Sequence, residues 1–171
     1  MPKEGIMHKT TPHQKLKLPL FIVCLFAPLL LAECIKLCAP SAGIILQNLR
    51  LPPFFPPGWL LQAMWFILYI IMGYSLYVII TNSILQGRAK NSAFYYFVLQ
   101  LALNYLWYTA FFAFQYRGFS VLLMALWLSL VIAVWKRVRA INVCMSNLWF
   151  FYTAWLFFSA ILNYSIWILN L

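Results

Sequence analysis

The chain has 171 residues, of which 65% are hydrophobic and 8% are charged, and its formal net charge is +10. An ordinary soluble domain has about 25% charged residues, so this composition excludes a typical water-soluble protein and predicts an integral membrane protein. The basic residues lie in tails and linkers and form no stripe with interleaved aromatic residues, which excludes nucleic-acid binding as the explanation of the charge.

The N-terminal region combines a basic tail with a first apolar run. Residues 1–17 contain four lysines, and we interpret them as a solvated tail. Residues 18–38 follow, about 21 residues that suffice to cross a hydrocarbon core of about 30 Å. This start resembles a signal peptide, but Glu33 occupies the place where cleavage needs a small residue. We interpret Glu33 and Lys36 as an interfacial ion pair.

Residues 39–57 form a long proline-rich connection that we name the lid loop. Its prolines at positions 52, 53, 56 and 57 fix φ and lack an N–H, so no regular helix is predicted from Pro52 up to Gly58. A loop of this length is usually functional or disordered, and its apolar residues favour packing over disorder. The candidate lid residues are Pro52, Phe54, Phe55, Pro56, Pro57 and Trp59.

Four more apolar runs, residues 59–80, 93–114, 119–135 and 143–169, are each long enough to span a membrane. We therefore predict an all-α integral membrane protein, a bundle of five transmembrane helices in one domain over residues 18–171. In the fourth of the five runs, Ala125, Ser129 and Ala133 form a ridge of small residues. We expect this ridge to serve packing within the chain rather than dimerisation.

Aromatic and polar side chains recur on one face of three of these helices. The three faces comprise Trp65, Tyr69 and Gly73; Gln100, Asn104, Trp107 and Phe111; and Tyr152, Trp155, Ser159 and Asn163. Flat apolar rings with a few amide and hydroxyl groups suit a large planar apolar ligand with polar edges. The alternative is that the rings form a membrane-interface belt and the amides join helices.

The sequence offers few groups for catalysis or metal binding. Its only carboxylates are Glu4 and Glu33, both histidines lie in the N-terminal tail, and the four cysteines have no metal-ligand spacing. An acid/base pair, a Ser-His-Asp relay and a metal site are therefore not predicted. Ion-coupled transport through buried carboxylates is disfavoured for the same reason.

The distribution of Lys and Arg predicts the orientation in the membrane. With five spans, the tail and the second and fourth linkers share one side and hold nine Lys and Arg, whereas the other side has Arg50 and Arg117. The positive-inside rule then places the N-terminus in the cytoplasm and the lid loop outside. The basic N-terminus lacks the pattern of a transit peptide, which favours a bacterial inner membrane.

Three motifs, in order and at the right separations, are similar to those of a known family. They are PPGWLLQAMWFILYIIMG at 56–73, QLALNYLWYTAFF at 100–112 and FYTAWLFFSAILNYSIWILN at 151–170. The corresponding family patterns read approximately PPGWVFPxVWTxLYxxMG, QLALNxxWxPxFF and PYxxWxxFAxxLNxxxWxLN. Over roughly residues 45–171 the chain thus resembles the translocator protein family, also called tryptophan-rich sensory protein (TspO) or peripheral benzodiazepine receptor.

The resemblance implies a five-helix bundle, often dimeric, with a pocket under the loop between the first two membrane helices. The family binds porphyrins such as protoporphyrin IX and haem, and in animals cholesterol and benzodiazepine-type drugs. We therefore expect protoporphyrin IX or haem as ligand and no obligatory cofactor. The expected partners are the lipid bilayer and, as a candidate, a second copy of the chain in a homodimer. The resemblance and the helical faces together give seven ligand-binding candidates: Trp65, Tyr69, Asn104, Trp107, Tyr152, Trp155 and Asn163.

Departures from the family patterns leave the pocket shape open. Leu61 and Gln62 replace a phenylalanine and a proline, and prolines are also replaced by Thr109 and Phe151, which predicts straighter helices. Tyr164 is followed by no Lys or Arg, so the sterol-recognition pattern is absent.

Three functions follow as expectations. The first is a tetrapyrrole-binding protein that acts as sensor, carrier or regulator of porphyrin levels, with Trp65 and Trp155 stacked on the macrocycle and Asn104 and Tyr152 at its polar edges. The second is an enzyme-like protein that degrades porphyrin in light. The third is a membrane regulatory protein without a porphyrin ligand.

Overall fold

The computed structural model describes residues 17–37, 39, 42–81, 87–139 and 143–171, and the predicted basic tail up to residue 16 lies outside them. Within these ranges the chain forms six α-helices and no strand. Their bounds are α1 Leu18–Lys36, α2 Ala42–Gln47, α3 Gly58–Thr81, α4 Gly87–Tyr108, α5 Arg117–Arg139 and α6 Val143–Leu169. A π-helical turn, Thr109–Ala113, continues α4.

Four of the helices are long and apolar enough to cross a membrane. They are α1, α3, residues 117–136 of α5 and residues 145–169 of α6. The prediction of an all-helical membrane protein is confirmed, but the count of five spanning helices is not. The helix α4 has the necessary length, with 22 residues, but Gln100, Asn104 and several tyrosines lower its hydropathy.

The lid loop is not free of helix, because it contains α2. The segment Ala42–Gln47 lies between the prolines at positions 40 and 52 and carries none itself, so nothing prevents one and a half helical turns. The predicted start of α3 is observed at Gly58. There the carbonyl of Pro57 accepts hydrogen bonds from the amides of Leu60 and Leu61, at 2.9 and 3.2 Å.

The helices α1 and α3 approach each other closely at Gly73. A Cβ atom at this position would lie 2.5 Å from the carbonyl oxygen of Leu25 and 2.7 Å from that of Cys24. Pro28, inside α1, has no N–H with which to bond the Cys24 carbonyl four residues earlier. Only glycine therefore fits where the backbones of the two helices meet.

The core lies between α3, α4, α5 and α6, and α5 packs most extensively against α6. Met124, Trp127 and Val131 point inward from α5 and are almost fully buried. By contrast, Ala125 and Ser129 are exposed. The expectation that the small-residue ridge packs within the chain is therefore wrong for these two residues, because the face with larger side chains buries more apolar area.

Candidate functional site

A cavity of about 730 Å³ lies at the end of the bundle covered by the lid loop. The last turns of α1, the helix α2 with the loop after it and the first three turns of α3 form part of its wall. The end of α4 with its π-helical turn and the last part of α6 complete it. Its volume lies within the range of about 300–1,000 Å³ of small-molecule sites.

Aromatic residues are the largest group in the wall. Rings are contributed by Phe55, Trp59, Trp65, Phe66, Tyr69, Trp107, Tyr108, Phe111 and Phe112. Neutral polar groups come from Gln62, Asn104, Ser159 and Asn163, and charge comes from Glu33 and Lys36. Such a wall is suited to stacking against a flat apolar molecule that carries a few hydrogen-bonding groups at its edge.

Three tryptophans stack behind and along this wall. The rings of Trp65 and Trp107 are 5.7 Å apart between centroids with an interplanar angle of 23°. Behind them lies Trp127, fully buried, with its ring 5.9 Å from that of Trp65 and at 17° to it. The rings of Trp107 and Trp127 also touch each other, with centroids 6.3 Å apart. Because Trp65 packs against both of these rings, its indole is positioned before any ligand arrives.

Hydrogen bonds between helices position the two asparagines of the wall. The Tyr69 hydroxyl donates to Oδ1 of Asn104 over 3.1 Å, and the Ser120 hydroxyl lies 3.1 Å from Oδ1 of Asn163. The side-chain nitrogens of Asn104, Asn163 and Trp107 are buried and have no partner among the described residues. Buried donors without a partner are uncommon, and acceptors on a bound molecule would satisfy them.

Five of the seven predicted ligand-binding residues lie together in the cavity wall: Trp65, Tyr69, Asn104, Trp107 and Asn163. The lid candidates are divided. Phe55 and Trp59 line the cavity, whereas Pro52, Phe54, Pro56 and Pro57 do not. Within the loop, Pro52 and Pro56 are buried and Phe54 is exposed. Because the prolines do not line the cavity, their role is to shape the backbone of the loop.

The remaining two predicted residues, Tyr152 and Trp155, lie outside the wall. Tyr152 is fully buried, and its hydroxyl donates to Oε1 of Gln100 over 2.7 Å. Trp155 packs against Phe158, with ring centroids 5.3 Å apart. Both belong to the first half of α6, one to three turns before the part that lines the cavity. The structure thus does not support the expected stacking of Trp155 on a ligand.

Several wall residues escaped the sequence analysis. Tyr108 and Phe112 continue the face of Asn104 at steps of four residues, and Leu162 and Ile166 flank Asn163, so helical periodicity could have found them. The expected ion pair is present, with Nζ of Lys36 2.6 Å from Oε1 of Glu33. Its place in the cavity wall depends on how α1 packs, which no local pattern indicates.

The π-helical turn at the end of α4 differs from the regular helix that the sequence predicts there. A straighter helix was predicted because Thr109 replaces a proline, but Thr109 is the first residue of the turn. Its hydroxyl donates to the Tyr105 carbonyl over 2.8 Å, and its own carbonyl accepts from the amide of Phe114, five residues later. Phe111 and Phe112, both within this turn, line the cavity.

Similarity to known proteins agrees with this architecture. The sequence model described as the TspO/MBR family matches residues 17–168. The chain belongs to the TspO/MBR family. Within this family it is 34% identical to the translocator protein of Ovis aries over 122 residues, which are 70% of this chain and 71% of the relative.

Microbial members of the TspO/MBR family also match. Protein CrtK of Rhodobacter capsulatus is 28% identical over 140 residues, or 78% of this chain and 86% of the relative. The tryptophan-rich protein TspO of Archaeoglobus fulgidus is 30% identical over 123 residues, or 69% and 75%. The match to the family model, residues 17–168, begins at the residue before α1 and ends one residue before the end of α6, so it includes the helices that build the cavity.

Proposed function

We propose that this TspO/MBR protein binds a tetrapyrrole, protoporphyrin IX or haem, and acts as a sensor, carrier or regulator of porphyrin levels. The observation that carries the proposal is the cavity of about 730 Å³ with its aromatic wall. Its size and its flat rings fit a planar apolar ligand. The resemblance of the chain to a porphyrin-binding family is consistent with the same ligand.

In this proposal, the residues of the wall have distinct tasks. Trp65 and Trp107, which are already stacked with each other, offer an aromatic surface to the macrocycle. The unpartnered amide nitrogens of Asn104 and Asn163 donate to acceptors on the ligand. Phe55 of the lid loop covers the ligand and excludes water. Binding of this kind requires no obligatory cofactor.

We also propose that α4 is the fifth membrane-spanning helix. With its π-helical turn it extends from residue 87 to residue 113, about 40 Å at 1.5 Å per residue, and it packs against α3 and α5. The distribution of Lys and Arg then places the N-terminus in the cytoplasm and the cavity near the opposite face. Counting Lys36 on the lid-loop side gives nine against three, which predicts the same orientation. A bacterial inner membrane is the proposed location.

Titration of the detergent-solubilised protein with protoporphyrin IX in the dark tests the proposal. Porphyrin absorbance is the better signal, because a variant with fewer tryptophans alters protein fluorescence. We expect saturable binding near micromolar, about −8 kcal/mol. The double variant Trp65→Phe/Trp107→Phe should bind roughly tenfold more weakly, since each good aromatic contact contributes about 0.5–1.5 kcal/mol.

Trp155→Phe is the matched control, because Trp155 is a tryptophan of the same bundle outside the wall. It should bind protoporphyrin IX as the unaltered protein does. Equal weakening in both variants would place the ligand elsewhere. Absence of saturable binding, together with copurification of a defined membrane partner, would favour the third function, a regulatory protein without a porphyrin ligand.

A second candidate function is light-dependent porphyrin degradation, favoured by the stack of Trp65, Trp107 and Trp127 at the cavity. Indoles in contact with an excited macrocycle are the groups that such chemistry would need. Illumination of the porphyrin complex in air should then change its absorption spectrum faster than free tryptophan in detergent does. The double Phe variant, saturated with porphyrin, should lose this excess rate.

A further inference from the structure

The mouth of the cavity carries two opposite charges. Glu33 and Lys36 belong to the last turn of α1 and both line the cavity, and they are the only charged residues in the described part of its wall. Nζ of Lys36 donates to Oε1 of Glu33 over 2.6 Å. The rest of the wall is aromatic, aliphatic or neutral polar. Charge at this site is therefore concentrated at one edge.

This ion pair can exchange partners at low cost. The Lys36 and Glu33 side chains are 49% and 56% exposed, and exposed pairs contribute only about 0–1 kcal/mol to stability. The ammonium group has three N–H donors, of which one bonds Glu33. An anionic group on a ligand can thus bind the remaining donors or displace the Glu33 carboxylate.

We infer that Lys36 selects ligands with a carboxylate at the edge of a flat apolar body. In this arrangement the ring system lies against Trp65 and Trp107, and the ligand carboxylate bonds Nζ of Lys36. Glu33 holds the ammonium in place when the cavity is free and repels the ligand carboxylate when it is bound. The inference rests on the proposed function, whose ligands carry two carboxylates, and adds the residue that binds one of them.

Protoporphyrin IX and its dimethyl ester form the decisive ligand pair, because they share one macrocycle and differ in two carboxylates. We expect the unaltered protein to bind the acid more tightly than the ester. Lys36→Gln should weaken binding of the acid roughly five- to thirtyfold, the range for a partly solvated charge-assisted hydrogen bond. Binding of the ester should stay unchanged.

Two further variants test the sign of the charge. Glu33→Gln should tighten binding of the acid, since it removes the competing carboxylate, and Lys36→Arg should retain the preference for the acid. Lys136→Gln is the control for net charge, because Lys136 is exposed at the far end of α5. The preference for the acid should also shrink as salt rises, since both side chains are about half exposed and salt screens exposed charges.

The outcomes separate this inference from the proposed function. Equal binding of acid and ester by the unaltered protein, or equal weakening of both by Lys36→Gln, would overturn the role of the ion pair and leave the tetrapyrrole cavity intact. Failure of both ligands to saturate would overturn the proposed function and the inference with it. A loss confined to the acid and reversed by Lys36→Arg supports the inference.

Discussion

The side-chain amide of Asn170 and the backbone of Arg50 exchange two hydrogen bonds, each 2.9 Å long. The Arg50 amide donates to Oδ1 of Asn170, and Nδ2 of Asn170 donates to the Arg50 carbonyl. Nδ2 also donates to the Ile166 carbonyl in the last turn of α6, over 2.7 Å. A single side chain therefore ties the lid loop to the end of α6, the helix that supplies one wall of the cavity.

We predict that Asn170→Ala loosens the lid loop while the helices stay folded. Loss of two hydrogen bonds at about 0.5–1.5 kcal/mol each should raise local opening by about 1–3 kcal/mol. Hydrogen exchange at the Arg50 amide should then be roughly 5- to 150-fold faster, since 1.4 kcal/mol corresponds to a factor of ten. Mass spectrometry of peptides spanning residues 48–57 measures this change.

Asn48→Ala is the matched control, because Asn48 is an exposed asparagine in the same loop. Its effect on exchange at Arg50 should be small. If Asn170→Ala leaves exchange at Arg50 unchanged, the loop is held by other contacts. Faster exchange throughout α6 would instead show that Asn170 supports the helix as a whole.

The sequence predicts the faces of the helices well but not the depth at which each residue lies. Tyr152, Trp155, Ser159 and Asn163 share one stripe on α6, about 16 Å long at 1.5 Å per residue. Only Ser159 and Asn163 reach the cavity. Periodicity gives a direction around the helix axis, whereas position along the axis depends on where the lid loop and neighbouring helices leave space.

Helix boundaries, too, can be predicted only where local geometry determines them. The start of α3 at Gly58 could be predicted because proline geometry is a local property. The short helix α2 was missed, since its stability depends on contacts with the π-helical turn rather than on its own six residues. Glu33 and Lys36 were recognised as a pair from their spacing, but their access to the cavity required the packing of α1.

Two buried tyrosines should respond differently to loss of their hydroxyl groups. Tyr69→Phe removes the donor to Oδ1 of Asn104 at the cavity wall, and Tyr152→Phe removes the donor to Gln100 deeper in the bundle. Each variant should lose about 1–2 kcal/mol of stability, because a buried hydrogen bond between helices is lost. Only Tyr69→Phe should also weaken porphyrin binding, because Asn104 then loses its fixed orientation.

Thermal unfolding and porphyrin titration of the two variants make the comparison. The tyrosines are matched, since both are buried and both donate to a side-chain amide of α4. Weaker porphyrin binding by Tyr152→Phe, with Tyr69→Phe unaffected, would contradict the assigned cavity wall. That result would indicate that the ligand binds beside the first half of α6.

Gly73→Ala should destabilise the contact between α1 and α3. The added Cβ would lie 2.5 Å from the carbonyl oxygen and 2.6 Å from the Cα of Leu25, which are backbone atoms that cannot move aside singly. We expect a loss of about 1–3 kcal/mol, typical of overpacking. Thermal unfolding in detergent measures it.

Gly43→Ala serves as the control for this glycine. A Cβ at Gly43 would meet nothing within 4 Å, and alanine favours a helix over glycine by about 0.5–1 kcal/mol. Its stability should therefore be unchanged or slightly higher. Equal thermal stability of Gly73→Ala and the unaltered protein would mean that α1 and α3 can separate without loss.

The π-helical turn predicts that a proline is tolerated at position 109. Thr109→Pro removes the backbone N–H and the hydroxyl bond to the Tyr105 carbonyl. Thr109 is, however, the first residue of the π-helical turn, where its carbonyl already bonds five residues ahead instead of four. Membrane helices accept proline where such local adjustments satisfy the freed groups. We expect a cost below about 1 kcal/mol, with the cavity and its porphyrin affinity retained.

Leu106→Pro is the contrasting variant, because Leu106 lies in the regular part of α4 and is 48% exposed, so its side chain contributes little packing. Proline there removes a regular helical hydrogen bond and clashes with the preceding turn, which costs about 3 kcal/mol or more. Thermal unfolding should therefore separate the two proline variants by more than about 2 kcal/mol. Equal destabilisation would show that Thr109 needs its own N–H, and that the turn does not take the place of a helix proline.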